Sequence, residues 1–321
     1  MNLKLIEKPD ILLEASFSRA RKKAGAYAKQ KTPFYTIKGK EIAKIEAPYD
    51  FLESTLLKVV KDFPSVDKLE PFYKDLFTFV IDVNETKIAL AKVSATVRII
   101  KNMRREKIIA LKEIRYEKGA VQHSKDLTRE YFGRVSSLIK KLKGPITIYN
   151  DAARKLRELP SIKADQEAYI LAGFPNVGKS TLMGKITTST PKTAAYPFTT
   201  KGLNVGSFIK KYLPIQVIDT PGLLDRPISK RNNIELKAIS AFQHLKGTII
   251  FVVDPLQEML EQQNLFAEIK KLFSDKGFII VINKTDVASD EQIKKAQKAF
   301  EGNFMILEGE GLDNLKAELL K

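Results

Sequence analysis

The sequence predicts two parts: an all-α helical bundle over residues 1–160, then an α/β domain over residues 161–321 with a mostly parallel six-stranded sheet. Three observations carry this. Before residue 160, apolar residues recur at spacings of three and four over long stretches, the period of helices with one buried stripe. After residue 166, short continuous apolar runs alternate with helical periods, as strands covered on both faces do. The charge is also divided unequally. Residues 1–160 carry 34 Lys and Arg against 20 Asp and Glu; residues 161–321 carry 21 against 18, out of a net +17.

Taken in order, Asp10 suits the cap of a helix through ILLEASFSRARKKAGAYAKQ, and Pro48 marks an interruption before YDFLESTLLKVVKDF. Beyond PSVDKLEP a long helical region places Leu90, Val93, Val97 and Ile100, then Ile108, Leu111 and Ile114, on one stripe. Arg98, Lys101, Arg104, Arg105, Lys107 and Lys112 fall largely between them, facing outward, and Gly119 ends the helix. SKDLTREYFGRVSSLIKKLKG and ITIYNDAARKLREL complete the bundle. The strands are AYILA, a hairpin of LNVGSFI and IQVIDT, then TIIFVVD, FIIVINK and FMIL, with amphipathic helical segments between the later ones.

The absence of cysteine excludes disulfides and thiolate-bound metals, and two histidines, His123 and His244, are too few for a histidine-built metal centre. The charged start MNLKLIEKPD has no apolar leader region, and no apolar run reaches the ~18 residues that span a bilayer. The expectation is a cytoplasmic monomer that needs no membrane.

GFPNVGKST, residues 173–181, fits the pattern GxxxxGK[ST] between a strand and a helix, a phosphate-binding loop. Gly173 and Gly178 let the backbone curl so that amides of Phe174, Pro175, Asn176, Val177 and the following turn surround phosphate oxygens; proline itself contributes only its fixed geometry. Lys179 reaches the β- and γ-phosphates, Ser180 offers a hydroxyl to Mg2+, and Thr181 follows in the helix's first turn, whose dipole favours anions. VIDTPG, residues 217–222, sets Asp219 at a strand end for the magnesium and the Gly222 N–H for a γ-phosphate. In NKTD, residues 283–286, Asp286 can accept from N1–H and N2–H2 of guanine, a pair that adenine lacks. Asn283 serves the other edge and the stem of Lys284 covers the ring. A switch loop belongs in TPKTAAYPFTTKG, where Thr200, with Thr199 as rival, would ligate magnesium when the γ-phosphate is present.

These stretches, with YPFTTKG and DTPGLLDRP, resemble the Obg-related translation-associated GTPases. DFPSVDKLEPFYKDLFTFVIDVNETKIALAKVSATVRIIKNMRRE is similar to the helical domain of the nucleolar GTP-binding protein 1 family, in its short archaeal-type form. The resemblance covers roughly residues 10–285. It implies a Ras-like P-loop GTPase domain behind a helical bundle, binding GTP or GDP with Mg2+ and acting on the pre-ribosomal large subunit and its rRNA. The Ser-Ala pair usual in this class before GEGLD is Met305 and Ile306 here, so either the backbone contact to guanine survives or nucleotide affinity weakens.

Hydrolysis needs positioning and charge neutralisation, and the residue after Gly222 is Leu223, which cannot orient water as the usual glutamine does. Slow intrinsic turnover follows. Asn176 either helps hold a K+ beside the phosphates or only braces the loop. Lys179, Thr200, Gly222 and Asn176 are the catalytic candidates, whereas Arg226, Lys230 and Arg231 follow the switch and either act on phosphate or, the reading preferred, are solvated. The segment 19–31 has six basic and no acidic residues, and 98–118 has eight against three. Such faces suit RNA phosphates, though a basic face can equally be plain solvated surface. A signalling switch docking on an anionic membrane, and a non-cycling interaction module, are the competing readings.

Overall fold

The structure is a computed structural model describing residues 3–194, 196, 202–227, 231, 233–300, 304–306 and 311–320; at 233–234 and 304–306 only the backbone is described. By contact the chain forms two compact units, one of residues up to 65 with 81–157, the other of 66–80 with 158 onward.

The first unit is helical: α1 (Pro9–Gly25), α2 (Pro33–Asp62), α4 (Val83–Glu113), α5 (Ala120–Lys141) and α6 (Lys143–Glu158), with α3 (Pro71–Val80) belonging to the other unit. Its core takes Leu12, Ile45, Leu52, Leu56, Val93, Ile100, Tyr131 and Tyr149, each almost wholly buried. Burial of each such side chain contributes about 1.5–3 kcal/mol. Three local expectations are corrected. Asp10 lies in the first turn of α1 and does not cap it; Lys8 holds the cap position, with Pro9 starting the helix. Pro48 sits inside the continuous helix α2. An interior proline costs about 3 kcal/mol, but here it is flanked by buried Ile45, Ala47, Tyr49 and Leu52, whose packing holds the helix through it. Gly119, at φ 91°, starts α5, whereas α4 stops earlier at Glu113. The long helical region after PSVDKLEP is likewise two helices. α4 begins with Asp82 accepting from the Glu85 N–H at 2.8 Å, an N-cap that sets its start.

Residues 66–80 fall outside the bundle in which the sequence reading placed them. Phe72, Leu76 and Phe77 of α3 are fully buried, with the Phe72 ring 6.0 Å from Phe242. The Tyr73 hydroxyl donates to the Ile162 carbonyl at 2.6 Å, and His244 Nε2 lies 3.1 Å from the Asp75 carboxylate.

The α/β unit has one sheet. Its strands are β1 (Ala168–Ala172), β2 (Lys192–Ala194), β3 (Leu203–Lys210), β4 (Leu213–Asp219), β5 (Gly247–Val253), β6 (Gly277–Ile282) and β7 (Phe304–Ile306), in the order β2-β3-β4-β1-β5-β6-β7. The six predicted strands are all there, and the three-residue β2 extends the edge. β4, β1, β5, β6 and β7 run parallel; β3 joins antiparallel through a hairpin turning at Lys211 and Tyr212, both at positive φ. β1 is buried at every position, the pattern of a central parallel strand. α7 (Lys179–Ile186), α8 (Asn233–Ser240), α9 (Met259–Leu272), α10 (Asp290–Ala299) and α11 (Gly311–Leu320) connect the strands or follow them. Leu171, Val177, Leu182, Met183, Val217, Ile250, Val252, Val281 and Leu315 share one core, which holds α7 and α11 against the strands. The carboxyl ends of β1, β4, β5 and β6 therefore open on one edge, where ligands of open parallel sheets bind.

Candidate functional site

The described candidate residues lie at or follow the carboxyl ends of β1, β4 and β6. β1 ends at Ala172, and the loop 173–178 turns into α7. Gly173 has φ 131°, and a Cβ there would lie 2.4 Å from the Val252 carbonyl oxygen. Gly178 has φ 96°, and a Cβ there would lie 2.2 Å from Asn283 Nδ2. That Nδ2 donates to the Val177 carbonyl at 2.8 Å. The phosphate loop and the NKTD segment are thus tied directly to each other, and the second glycine makes the tie sterically possible.

Within the loop, Phe174 is half-buried against the core and Val177 is fully buried. The Pro175 carbonyl accepts from Gln257 Nε2 at 3.2 Å. Asn176 is exposed at φ 62°, and its side chain has no hydrogen-bond partner among the described residues. The Lys179 ammonium is buried and donates to the Gly173 and Phe174 carbonyls, both at 2.7 Å. Burial lowers its pKa, opposed by the charges of Asp225 and then Asp219. Thr181 is exposed on the first turn of α7.

Asp219 closes β4 and is completely buried. Its Oδ2 accepts from the Ser180 hydroxyl at 2.5 Å and from Asn204 Nδ2 at 3.2 Å, while Oδ1 has no partner among the described residues. A carboxylate oxygen left unpaired in a buried place costs about 1–3 kcal/mol or more, which a cation would relieve. A hydroxyl and a carboxylate converging in an all-oxygen set fit Mg2+, which takes few protein ligands and completes its shell with water and phosphate. The donors present therefore fit this ion, which Ser180 and Asp219 would hold.

After Asp219, Thr220 Oγ1 donates to the Leu171 carbonyl at 2.8 Å and turns the chain back over β1. Gly222, at φ 79°, directs its N–H to Asp225 Oδ2 at 2.8 Å. Leu223 is only 1% exposed, so it is a core residue as well as an apolar one. Arg231 corrects the sequence reading. Its side chain is fully buried, with Nη1 donating to the Gly222 carbonyl at 2.9 Å and Nη2 3.4 Å from Asp225 Oδ1. Burial is the first cause lowering its pKa. Arg226 is exposed and paired to Glu235 at 2.7 Å.

At β6 the Asn283 N–H donates to the Val253 carbonyl at 2.9 Å. Lys284, at φ 55°, reaches Asp254 Oδ2 at 2.8 Å. Asp286 is exposed and without a partner among the described residues, leaving its carboxylate open to a ligand. Met305 and Ile306 lie in β7, in register with Val281 and Ile282 and so level with the start of NKTD. Thr199, Thr200 and Lys230 lie outside the described residues. From the same switch segment, Tyr196 is buried with its hydroxyl on the Ala238 carbonyl at 2.7 Å.

Sequence reasoning passed over Asp254, Gln262 and Asn204. Asp254 is 1% exposed; its backbone N–H donates to Gln262 Oε1 at 3.0 Å, and its carbonyl accepts from Gln262 Nε2 at 2.8 Å. The signal was there: Asp254 ends TIIFVVD just as Asp219 ends a parallel strand.

Comparison with known proteins matches both the helical part and the α/β part of the sequence. A family model of the NOG1 N-terminal helical domain matches residues 2–163, and a model of a 50S ribosome-binding GTPase matches residues 168–284. Nucleolar GTP-binding protein 1 of Drosophila melanogaster is 34% identical over 282 residues, 84% of this chain and 43% of that protein. An uncharacterised protein of Methanocaldococcus jannaschii is 33% identical over 292 residues, 89% of this chain and 80% of that protein. Among solved structures, nucleolar GTP-binding protein 1 of Plasmodium falciparum is 36% identical over 50% of this chain and 90% of that one, with a TM-score of 0.42. The chain spans less than half the length of the Drosophila melanogaster and Saccharomyces cerevisiae relatives, 43% and 42%. With the helical domain, the GTPase domain and the short archaeal relative all matched in one chain, it belongs to the nucleolar GTP-binding protein 1 family.

Proposed function

We propose that the protein binds GTP with Mg2+, hydrolyses it slowly to GDP and phosphate, and acts in assembly of the large ribosomal subunit in the cytoplasm. The observation that carries the first part is the Asn283–Val177 hydrogen bond, which joins a phosphate loop to a base-reading segment whose Asp286 carboxylate is free. In this reading Gly173 to Thr181 surround the phosphates, Lys179 neutralises the β- and γ-oxygens, and Ser180, Asp219 and Thr200 hold the magnesium. Asn283, Lys284 and Asp286 take the guanine. Adenine would leave the Asp286 carboxylate unmatched, the kind of mismatch that discriminates strongly.

Buried Leu223 supports slow chemistry, since it offers nothing to a water molecule. The exposed, unpartnered Asn176 supports K+ as the supplementary cation near the phosphates. Turnover compared in potassium and sodium salts tests this; equal rates exclude the potassium role.

The basic helical unit supports an rRNA partner. Arg21, Lys22, Lys29, Lys31, Arg98, Lys101 and Arg105 are exposed with no ion pair among the described residues, unlike Lys23, which meets Glu46 at 3.2 Å, and buried Lys107, which meets Glu130 at 2.6 Å. Unpaired cations on an exposed face release phosphate counterions when RNA binds. The names of the matched relatives and family, nucleolar GTP-binding protein 1 and 50S ribosome-binding GTPase, point the same way. Among the described residues no helix is long and apolar enough to cross a membrane. Co-sedimentation with large ribosomal subunits in GTP analogue against GDP tests the role; anionic vesicles capturing the protein in preference to subunits would overturn it.

A further inference from the structure

The groups around Gly222 carry more than the proposed hydrolysis uses. The Gly222 N–H, the amide in position to meet a terminal phosphate, is already held by Asp225 Oδ2 at 2.8 Å. The second oxygen of that carboxylate faces Arg231 Nη2 at 3.4 Å, and Arg231 Nη1 holds the Gly222 carbonyl at 2.9 Å. One carboxylate and one guanidinium therefore hold Gly222 from both sides, the carboxylate at its N–H and the guanidinium at its carbonyl. The Arg231 side chain is fully buried, and its Nε has no partner among the described residues. The same carboxylate is the strongest charge favouring the ammonium form of Lys179. Asp225 thus occupies the Gly222 amide and its charge also acts on the Lys179 ammonium, the two donors that a γ-phosphate requires.

We propose that the Asp225 carboxylate, locked by Arg231, is a built-in competitor for the terminal phosphate of GTP and sets the preference between GTP and GDP. The inference rests on the GTP reading above. Two anions cannot share one amide in a partly buried site, because like charges at contact distance repel strongly where water is scarce. GDP, lacking the third phosphate, leaves the clamp closed. GTP must break the Gly222–Asp225 hydrogen bond, which also strips Arg231 of its carboxylate.

The test is equilibrium binding of GDP and of a non-hydrolysable GTP analogue, with Mg2+, to the full chain and to Asp225→Asn. The asparagine keeps the shape and can still accept from Gly222, but without the charge that roughly doubles such a bond. Analogue affinity should rise about five- to tenfold, with GDP affinity changing less than about twofold. Asp225→Ser, which also removes the reach to Gly222, should move the ratio in the same direction at least as far. Equal shifts for both nucleotides, or weaker analogue binding, overturn the proposal. Failure of the unaltered chain to bind either nucleotide overturns the GTP reading itself, a result distinct from equal shifts.

Discussion

Gly178 joins two functions at one residue. It takes a φ that side chains resist, at about 1–2 kcal/mol, and it leaves the space that Asn283 Nδ2 occupies. Gly178→Ala should therefore displace Asn283 from the Val177 carbonyl as well as strain the loop. A lowered melting temperature without nucleotide, together with loss of guanine-nucleotide binding by titration, is the expected outcome. Lys179 makes a second case. Burial holds its folded-state pKa below the unfolded value, so the charged form that dominates at neutral pH carries a cost. This cost diminishes as pH rises from the folded-state pKa to the unfolded one, so this group's share of stability increases with pH across that window. A bound triphosphate supplies negative charge and reverses the shift. Nucleotide binding at alkaline pH should therefore take up protons, seen as a binding enthalpy that depends on the ionisation heat of the buffer.

At the scale of elements, the strands were readable because sheet burial on both faces leaves uninterrupted apolar runs such as TIIFVVD. The helices were readable in kind but not always in extent. Pro48 is a helix breaker by local preference, and only tertiary burial around Tyr49 and Leu52 overrides it. The periodicity of PFYKDLFTFV marks α3 as amphipathic, yet a period does not say which core receives the apolar face. Tyr73 anchors α3 through a hydroxyl that donates to the Pro160 and Ile162 carbonyls and accepts from the Ile162 N–H. Tyr73→Phe should cost about 1–3 kcal/mol by urea denaturation, because those partners lose a buried match. At the site, the loop and NKTD were legible from glycine, lysine and carboxylate spacing. Arg231 was not, since a cation in a loop is usually solvated and only the fold brings Gly222 and Asp225 around it.

For the molecule as a whole, the interleaving of the two units has a practical result. A fragment cut at residue 160 would keep α3 while discarding the partners of Phe72, Leu76 and Phe77. Exposure of three such side chains forfeits several kcal/mol and favours association. That fragment should aggregate or bind an apolar dye where the full chain does not, as light scattering and dye fluorescence would report. RNA binding by the full chain should weaken steeply with salt, by about tenfold or more between 50 and 200 mM, if the exposed lysines and arginines meet phosphates. Both the slow hydrolysis and the Asp225 clamp depend on a guanine nucleotide at this edge of the sheet. Competition against labelled GDP in the presence of Mg2+ decides it: unlabelled GTP should displace the label, and a hundredfold excess of ATP should not, because a site that leaves a polar group unmatched discriminates by about 10^4-fold or more. Displacement by ATP as readily as by GTP would contradict the account.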